Sequence, residues 1–79
     1  MTEAEIYDRL VVVFRDVFDD DEIVINPETT APDVDGWDSL NHIRLILSIG
    51  REFGVQFSAS EVAGFKNVGD LASAIARKA

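Results

Sequence analysis

Apolar residues fall at helical spacing in three long runs and one short one, and no run alternates over the length of a strand. In the first, Ile6, Leu10, Val13, Phe14, Val17 and Phe18 recur at steps of three and four. That spacing predicts an amphipathic helix ending near residue 18. Its start is marked by "TEAE", a capping box in which Thr2 accepts from the helix amides and Glu5 reaches back. A second helix is predicted from Ser39 to Phe53, with Asp38 as N-cap and Gly54 as C-cap. Its apolar residues Leu40, Ile43, Leu45, Ile46, Leu47, Ile49 and Phe53 cover roughly 220° of the wheel, against the ~100° that a surface helix needs. Asn41, Arg44, Ser48, Arg51 and Glu52 fill the remainder. This helix is therefore either central or keeps an apolar edge for a partner. Leu40, Ile43 and Leu47 form one edge of the arc, beside Arg44 and Arg51.

"FSASEV" is a further capping box, Ser58 with Glu61, and Phe57 and Val62 stand at the staple positions around it. The helix it opens is short and ends by Gly64. In "NVGDLASAIARK", Asn67 caps a fourth helix whose apolar face is Val68, Leu71, Ala72, Ile75 and Ala76; Arg77 and Lys78 suit its C-terminal dipole. Between the first two helices lies "DDDEIVINPETTAPDVDG", where two prolines forbid a helix interior. Ile23, Val24 and Ile25 are expected to anchor this loop over the bundle. The pattern as a whole predicts an all-α four-helix bundle, with three longer helices, a short third one and a long loop between the first two. One domain over residues 1–79 is expected, since the chain shows no repeat and no composition shift of the kind a linker makes.

Composition narrows the function. With 79 residues and 47% hydrophobic content the chain is globular, but a domain so small has little core to spare for a deep catalytic cleft. No stretch of about 18 apolar residues is present to span a membrane. The acidic start "MTEAEIYDRL" lacks the basic stretch of a signal peptide. Cysteine is absent, which removes disulfides, thiolate metal sites and a cysteine nucleophile; the expected compartment is the cytoplasm. The net charge of −8 is unevenly spread: residues 1–38 sum to −10 and residues 39–79 to +2. Strong acidity disfavours nucleic acid and favours a protein partner with a basic docking surface.

The charge changes sign at Ser39, within "DVDGWDSLNH". Three roles are open to this serine. As a nucleophile it would need a base; His42 is the only histidine and stands three residues on, but the stretch G-W-D-S-L lacks the glycine-flanked elbow of serine hydrolases. As a structural residue it would simply fill the first helical turn behind the Asp38 cap. As an attachment point it would place a phosphate ester where free amides and the helix dipole favour an anion. The acidic clusters Asp33, Asp35, Asp38 and Asp19–Glu22 match no calcium-loop spacing, and no metal site is expected.

"GWDSLNHIRLILSIGREFGVQFS", followed by "FKNVGDLASAI", resembles the core of acyl carrier proteins, and the likeness extends over nearly the whole chain. The resemblance implies that Ser39 bears 4′-phosphopantetheine, transferred from coenzyme A by a phosphopantetheinyl transferase. It implies that the chain is no enzyme. Instead it presents acyl thioesters to loading and processing enzymes, the synthases and transferases of fatty acid, lipid or polyketide-type biosynthesis. Asp38 and Leu40 match the residues flanking the family's serine, and Leu40, Ile43, Arg44, Leu47 and Arg51 lie on the helix that meets partners. Leu40 is equally open to a core position, and the resemblance implies that Leu45, Ile46, Ile49 and Phe53 form the core and line any space for an acyl chain. The expected chain is a monomer without nucleic-acid or membrane partners. An aminoacyl or peptidyl carrier, or a helical adaptor using the Leu40–Ile43–Leu47 edge, is the alternative.

One departure stands out. Family members commonly hold several acids along the second helix, whereas this one has Arg44, Gly50 and Arg51 and sums to +1 over residues 39–53. A purely basic partner patch would be repelled there, which implies a dedicated partner set in a specialised pathway, with Asp33, Asp35 and Asp38 left to steer docking beside Ser39. Trp37 is expected as a plug of the loop on the bundle. His42, inside the apolar arc, is expected to be partly buried with one hydrogen bond.

Overall fold

In a computed structural model describing residues 1–79, four helices follow one another: α1 (Glu3–Val17), α2 (Ser39–Phe53), α3 (Ala59–Gly64) and α4 (Val68–Lys78). There is no strand. Each helix begins where a side-chain oxygen catches a free amide: Thr2 accepts from Glu5 N–H, Asp38 from Asn41, Ser58 from Glu61 and Asn67 from Asp70. Both capping boxes close, the Glu5 and Glu61 carboxylates accepting from the Thr2 and Ser58 amides at 3.0 and 2.9 Å. α2 stops at Gly54, whose φ of +67° lies in the left-handed region that glycine enters without strain.

α1 is the middle of the bundle and packs against both α2 and α4. Ile6, Leu10, Val13 and Phe14 meet Leu45, Ile46 and Ile49 of α2 and Val68, Leu71, Ala72 and Ile75 of α4 in one apolar core. Burying each large side chain of this kind contributes about 1.5–3 kcal/mol. α3 contributes no buried residue. It lies along the bundle as a short flank between the half-buried Phe57 and Phe65, whose rings meet edge to face at 5.5 Å.

The long loop is tied down by more than its apolar triplet. Ile23 is buried and Ile25 packs on the core, but Val24 is 76% exposed and anchors nothing, because extended backbone turns alternate side chains outward. Val34 and Thr29, unmarked by the pattern, are buried instead. Thr30 and Asp33 bracket a single 3₁₀ turn, Ala31–Asp33, that the sequence did not announce. The loop's carbonyls also cap the last helix: Val68 N–H donates to Thr29 at 2.9 Å and Gly69 N–H to Pro27 at 3.0 Å. The approach is close at Gly69, where a Cβ would stand 3.0 Å from that Pro27 oxygen and the loop would have to yield by a few tenths of an ångström.

α2 resolves the question its wide apolar arc raised. Leu45, Ile46 and Ile49 face the core, whereas Leu40, Ile43 and Leu47 are 72%, 51% and 61% exposed. A core position for Leu40 is thus overturned: as the second residue of α2 it turns its side chain to solvent. Phe53 is only half-buried; the Arg9 guanidinium lies over its ring at 4.6 Å and donates to the Glu52 carboxylate and carbonyl. No helix is long and apolar enough to cross a membrane.

Candidate functional site

Ser39 is the first residue of α2, and its side chain is exposed. Asp38 occupies the amide of Asn41 at 2.8 Å, and the Asp38 carbonyl accepts from His42 N–H at 2.8 Å. The amides of Ser39 and Leu40 stay without intrahelical partners, as at any helix start. The hydroxyl therefore stands beside two free donors at the positive end of a fifteen-residue helix. The turn leading to it is fixed from below. Gly36 takes φ +88°, its carbonyl accepts from Asn41 Nδ2 at 2.7 Å, and Trp37 packs edge to face on Phe14 with ring centroids 5.3 Å apart. Trp37 is the expected plug.

Ser39 opens onto a cleft of about 810 Å³ between α2 and α3. Ile43, Ile46 and Leu47 line it from α2, and Val62 and Ala63 from α3, with Phe57 and Phe65 at its ends. Polar side chains are few: Asp38, Ser39, His42 and Lys66. Leu45, Ile49 and Phe53, expected to line any space for a bound chain, do not reach it. Of the residues placed on the outer edge, Ile43 and Leu47 also border the cleft, while Leu40, Arg44 and Arg51 do not. Lys66, Phe57 and Phe65 are cleft residues that spacing alone does not mark. The two aromatic residues just outside a six-residue helix were the signal available, since an apolar pair flanking so short an element needs something to cover.

His42 makes two hydrogen bonds rather than the expected one. Trp37 Nε1–H donates to Nδ1 at 3.0 Å, and Nε2 lies 3.2 Å from the Val62 carbonyl oxygen. The indole and imidazole planes stack at 21°. An indole N–H can only donate and a carbonyl can only accept, so the ring is the Nε2–H tautomer. Neither nitrogen is left to take a proton from Ser39, and nothing joins the two side chains. The hydrolase arrangement is absent. So is any cluster of three His, Cys, Asp or Glu side chains able to hold a metal.

An exposed hydroxyl at a helix start, beside unpaired amides and at the mouth of an apolar cleft, suits the attachment of a phosphate ester whose cargo is apolar. The phosphopantetheine attachment site family matches residues 8–75 of the chain. That match defines the class: proteins that bear a covalent phosphopantetheine. Among solved structures, the holo acyl carrier protein from Geobacter metallireducens, determined in solution by NMR, is 47% identical with a TM-score of 0.85; the alignment covers 91% of this chain and 83% of that one. No curated protein matches. The chain belongs to the acyl carrier protein family. It is a carrier rather than a catalyst, and its prosthetic group is covalently attached 4′-phosphopantetheine. Proteins of this kind are served by a phosphopantetheinyl transferase and exchange cargo with biosynthetic enzymes.

Proposed function

We propose that Ser39 is the residue that bears the prosthetic group and that the cleft between α2 and α3 receives its acyl cargo. One observation carries the assignment: Ser39 is exposed at the first position of α2 and borders the apolar cleft. The bound group supplies the thiol that the chain, lacking cysteine, does not have. The chain's own residues do the rest. Asp38 holds the first turn in helical form, the free amides of Ser39 and Leu40 face the phosphate, and Ile43, Ile46, Leu47, Val62 and Phe65 offer apolar surface to whatever extends from it. A carrier of this type works by effective concentration, holding its cargo within reach of each enzyme it meets.

Leu40, Ile43, Arg44, Leu47 and Arg51 form the face presented to those enzymes. Three exposed apolar side chains on one helix beside the attachment residue support this. Arg51 has no carboxylate partner, and Arg44 donates only to Asn41. The partner surface therefore sets acidic or neutral groups against α2. That reading favours a dedicated set of enzymes in a specialised cytoplasmic lipid or polyketide-type pathway.

The test is incubation with coenzyme A, magnesium and a broad-specificity phosphopantetheinyl transferase, followed by intact mass. The mass rises by one phosphopantetheine, and Ser39→Ala abolishes the rise. A chain that gains no mass would instead be a helical adaptor working through the Leu40–Ile43–Leu47 edge.

A further inference from the structure

Two facts about α3 set it apart. It has six residues and buries none of them, while a helix standing alone needs roughly 12–15 to hold its shape in water. Phe57 and Phe65 flank it along the cleft, and one ion pair, Lys78 with Glu61 at 3.1 Å, ties it to α4. That pair is partly solvated and adds little. On the cleft side its polar fastening is the contact between His42 and Val62.

The Val62 carbonyl is one of the last four of α3 and has no intrahelical donor. The amide that could have closed over it, that of Lys66, donates to the Asp70 carboxylate at 2.9 Å. Without His42 this oxygen would face an apolar cleft wall unpaired, which is costly wherever water is scarce. The ring can serve it only with the proton on Nε2. Trp37 secures that form by giving its indole N–H to Nδ1. Trp37 is itself wedged against Phe14 in the core. A continuous chain thus runs from α1 through Trp37 and His42 to the backbone of α3.

We propose that His42 is the latch of the cleft: as the Nε2–H tautomer, held by Trp37, it fastens α3 to α2, and releasing it lets α3 swing away and the cleft open. His42 itself borders the cleft, so cargo entering between the two helices presses on the latch directly. Only the link to cargo rests on Ser39 being the attachment residue. The latch itself does not.

Two measurements on the unmodified chain decide the matter. Long-range ¹H–¹⁵N NMR of the imidazole shows Nε2 protonated and Nδ1 bare. In His42→Phe, amide exchange across residues 59–65 speeds up by about five- to tenfold, the loss expected for one net hydrogen bond, while α1 and α4 keep their protection. Should His42→Phe fail to fold, Trp37→Phe keeps an aromatic plug and removes only the donor; both tautomers then appear, and exchange in α3 rises by a smaller factor. A wild-type ring protonated at Nδ1, or α3 exchange unchanged in both variants, or a rise spread equally over all helices, overturns the latch. For cargo, octanoyl-loaded protein is treated with hydroxylamine: the thioester is cleaved several-fold faster in His42→Phe than in wild type, and equal rates overturn the link to cargo. A chain that accepts no phosphopantetheine leaves the exchange result standing, so the two readings fail separately.

Discussion

Phe14 and Trp37 meet edge to face with ring centroids 5.3 Å apart, and through them the core of α1 sets the height of the turn that delivers Ser39. Aromatic pairs in this geometry contribute about 0.5–1.5 kcal/mol beyond the area they bury. Trp37→Ala therefore lowers unfolding free energy by about 3 kcal/mol in urea titration. Trp37→Phe retains the contact with Phe14, loses the bond to His42 and costs about 1 kcal/mol.

The α2 cap gives a second expectation. Asp38→Ala removes the acceptor for Asn41 N–H and costs about 1 kcal/mol. Asp38→Asn keeps an acceptor and recovers most of it. Thermal unfolding followed by circular dichroism separates the two, and equal midpoints for alanine and asparagine would show that the cap does not hold this helix start.

Stability at low pH turns on two carboxylates. The Thr2 amide holds the Glu5 carboxyl below its ordinary 4.5; the Ser58 amide, with Lys78, does the same for Glu61. A depressed value in the folded chain means the folded state binds the proton less tightly than the unfolded one. Both caps thus stabilise fully above about pH 4.5 and are lost as pH falls through the lower folded values. Glu61→Gln lowers the neutral plateau of a stability–pH curve and flattens part of its acid limb, so that the two proteins converge at low pH. An unaltered acid limb would count against the Glu61 cap.

Gly50 offers a test with an unusual sign. Alanine in mid-helix normally adds about 1 kcal/mol over glycine. Here a Cβ at position 50 would stand 2.9 Å from the Val55 carbonyl oxygen, because the chain folds back after Gly54 and Val55 N–H donates to the Gly50 carbonyl. Gly50→Ala therefore destabilises by about 1 kcal/mol or more despite the better helix former.

On the outer face, Leu40→Ala and Leu47→Ala shift unfolding by no more than about 0.5 kcal/mol, since both side chains are already in water. Loading by the transferase is the contrasting readout: Leu40→Ala slows kcat/KM about tenfold, as loss of an interface anchor does. Arg44→Glu with Arg51→Glu improves docking to a basic-faced synthase at low salt and loses that gain at high salt.

Features governed by near neighbours were open to inspection in the chain itself. Both capping boxes, the Asn67 and Asp38 caps, the Gly54 stop and the four helices needed only spacing and side-chain chemistry. Features governed by distant segments were hidden. Val24 and Val34 exchange roles because the loop's path depends on what α1 and α4 present to it. The exposure of Leu40 depends on which side of α2 the other helices cover. The second bond of His42 depends on a carbonyl twenty residues away. Trp37 could have hinted at it, since a partly buried indole N–H needs an acceptor.

The carbonyls of Pro27 and Thr29 cap the first turn of α4, about forty residues downstream. Such a closure cannot form before residues 68 and 69 have been made. Until residues 68 and 69 exist, the long loop has nothing to cap. The turn that presents Ser39 then rests on local contacts only, Trp37 on Phe14 and Asn41 on the Gly36 carbonyl. Long-range pairing of this kind comes late in folding, so a nascent chain offers its serine on an unfinished frame. The loop is accordingly complete only once α4 has begun, and a truncation before residue 68 would unsettle it as surely as a lesion within it.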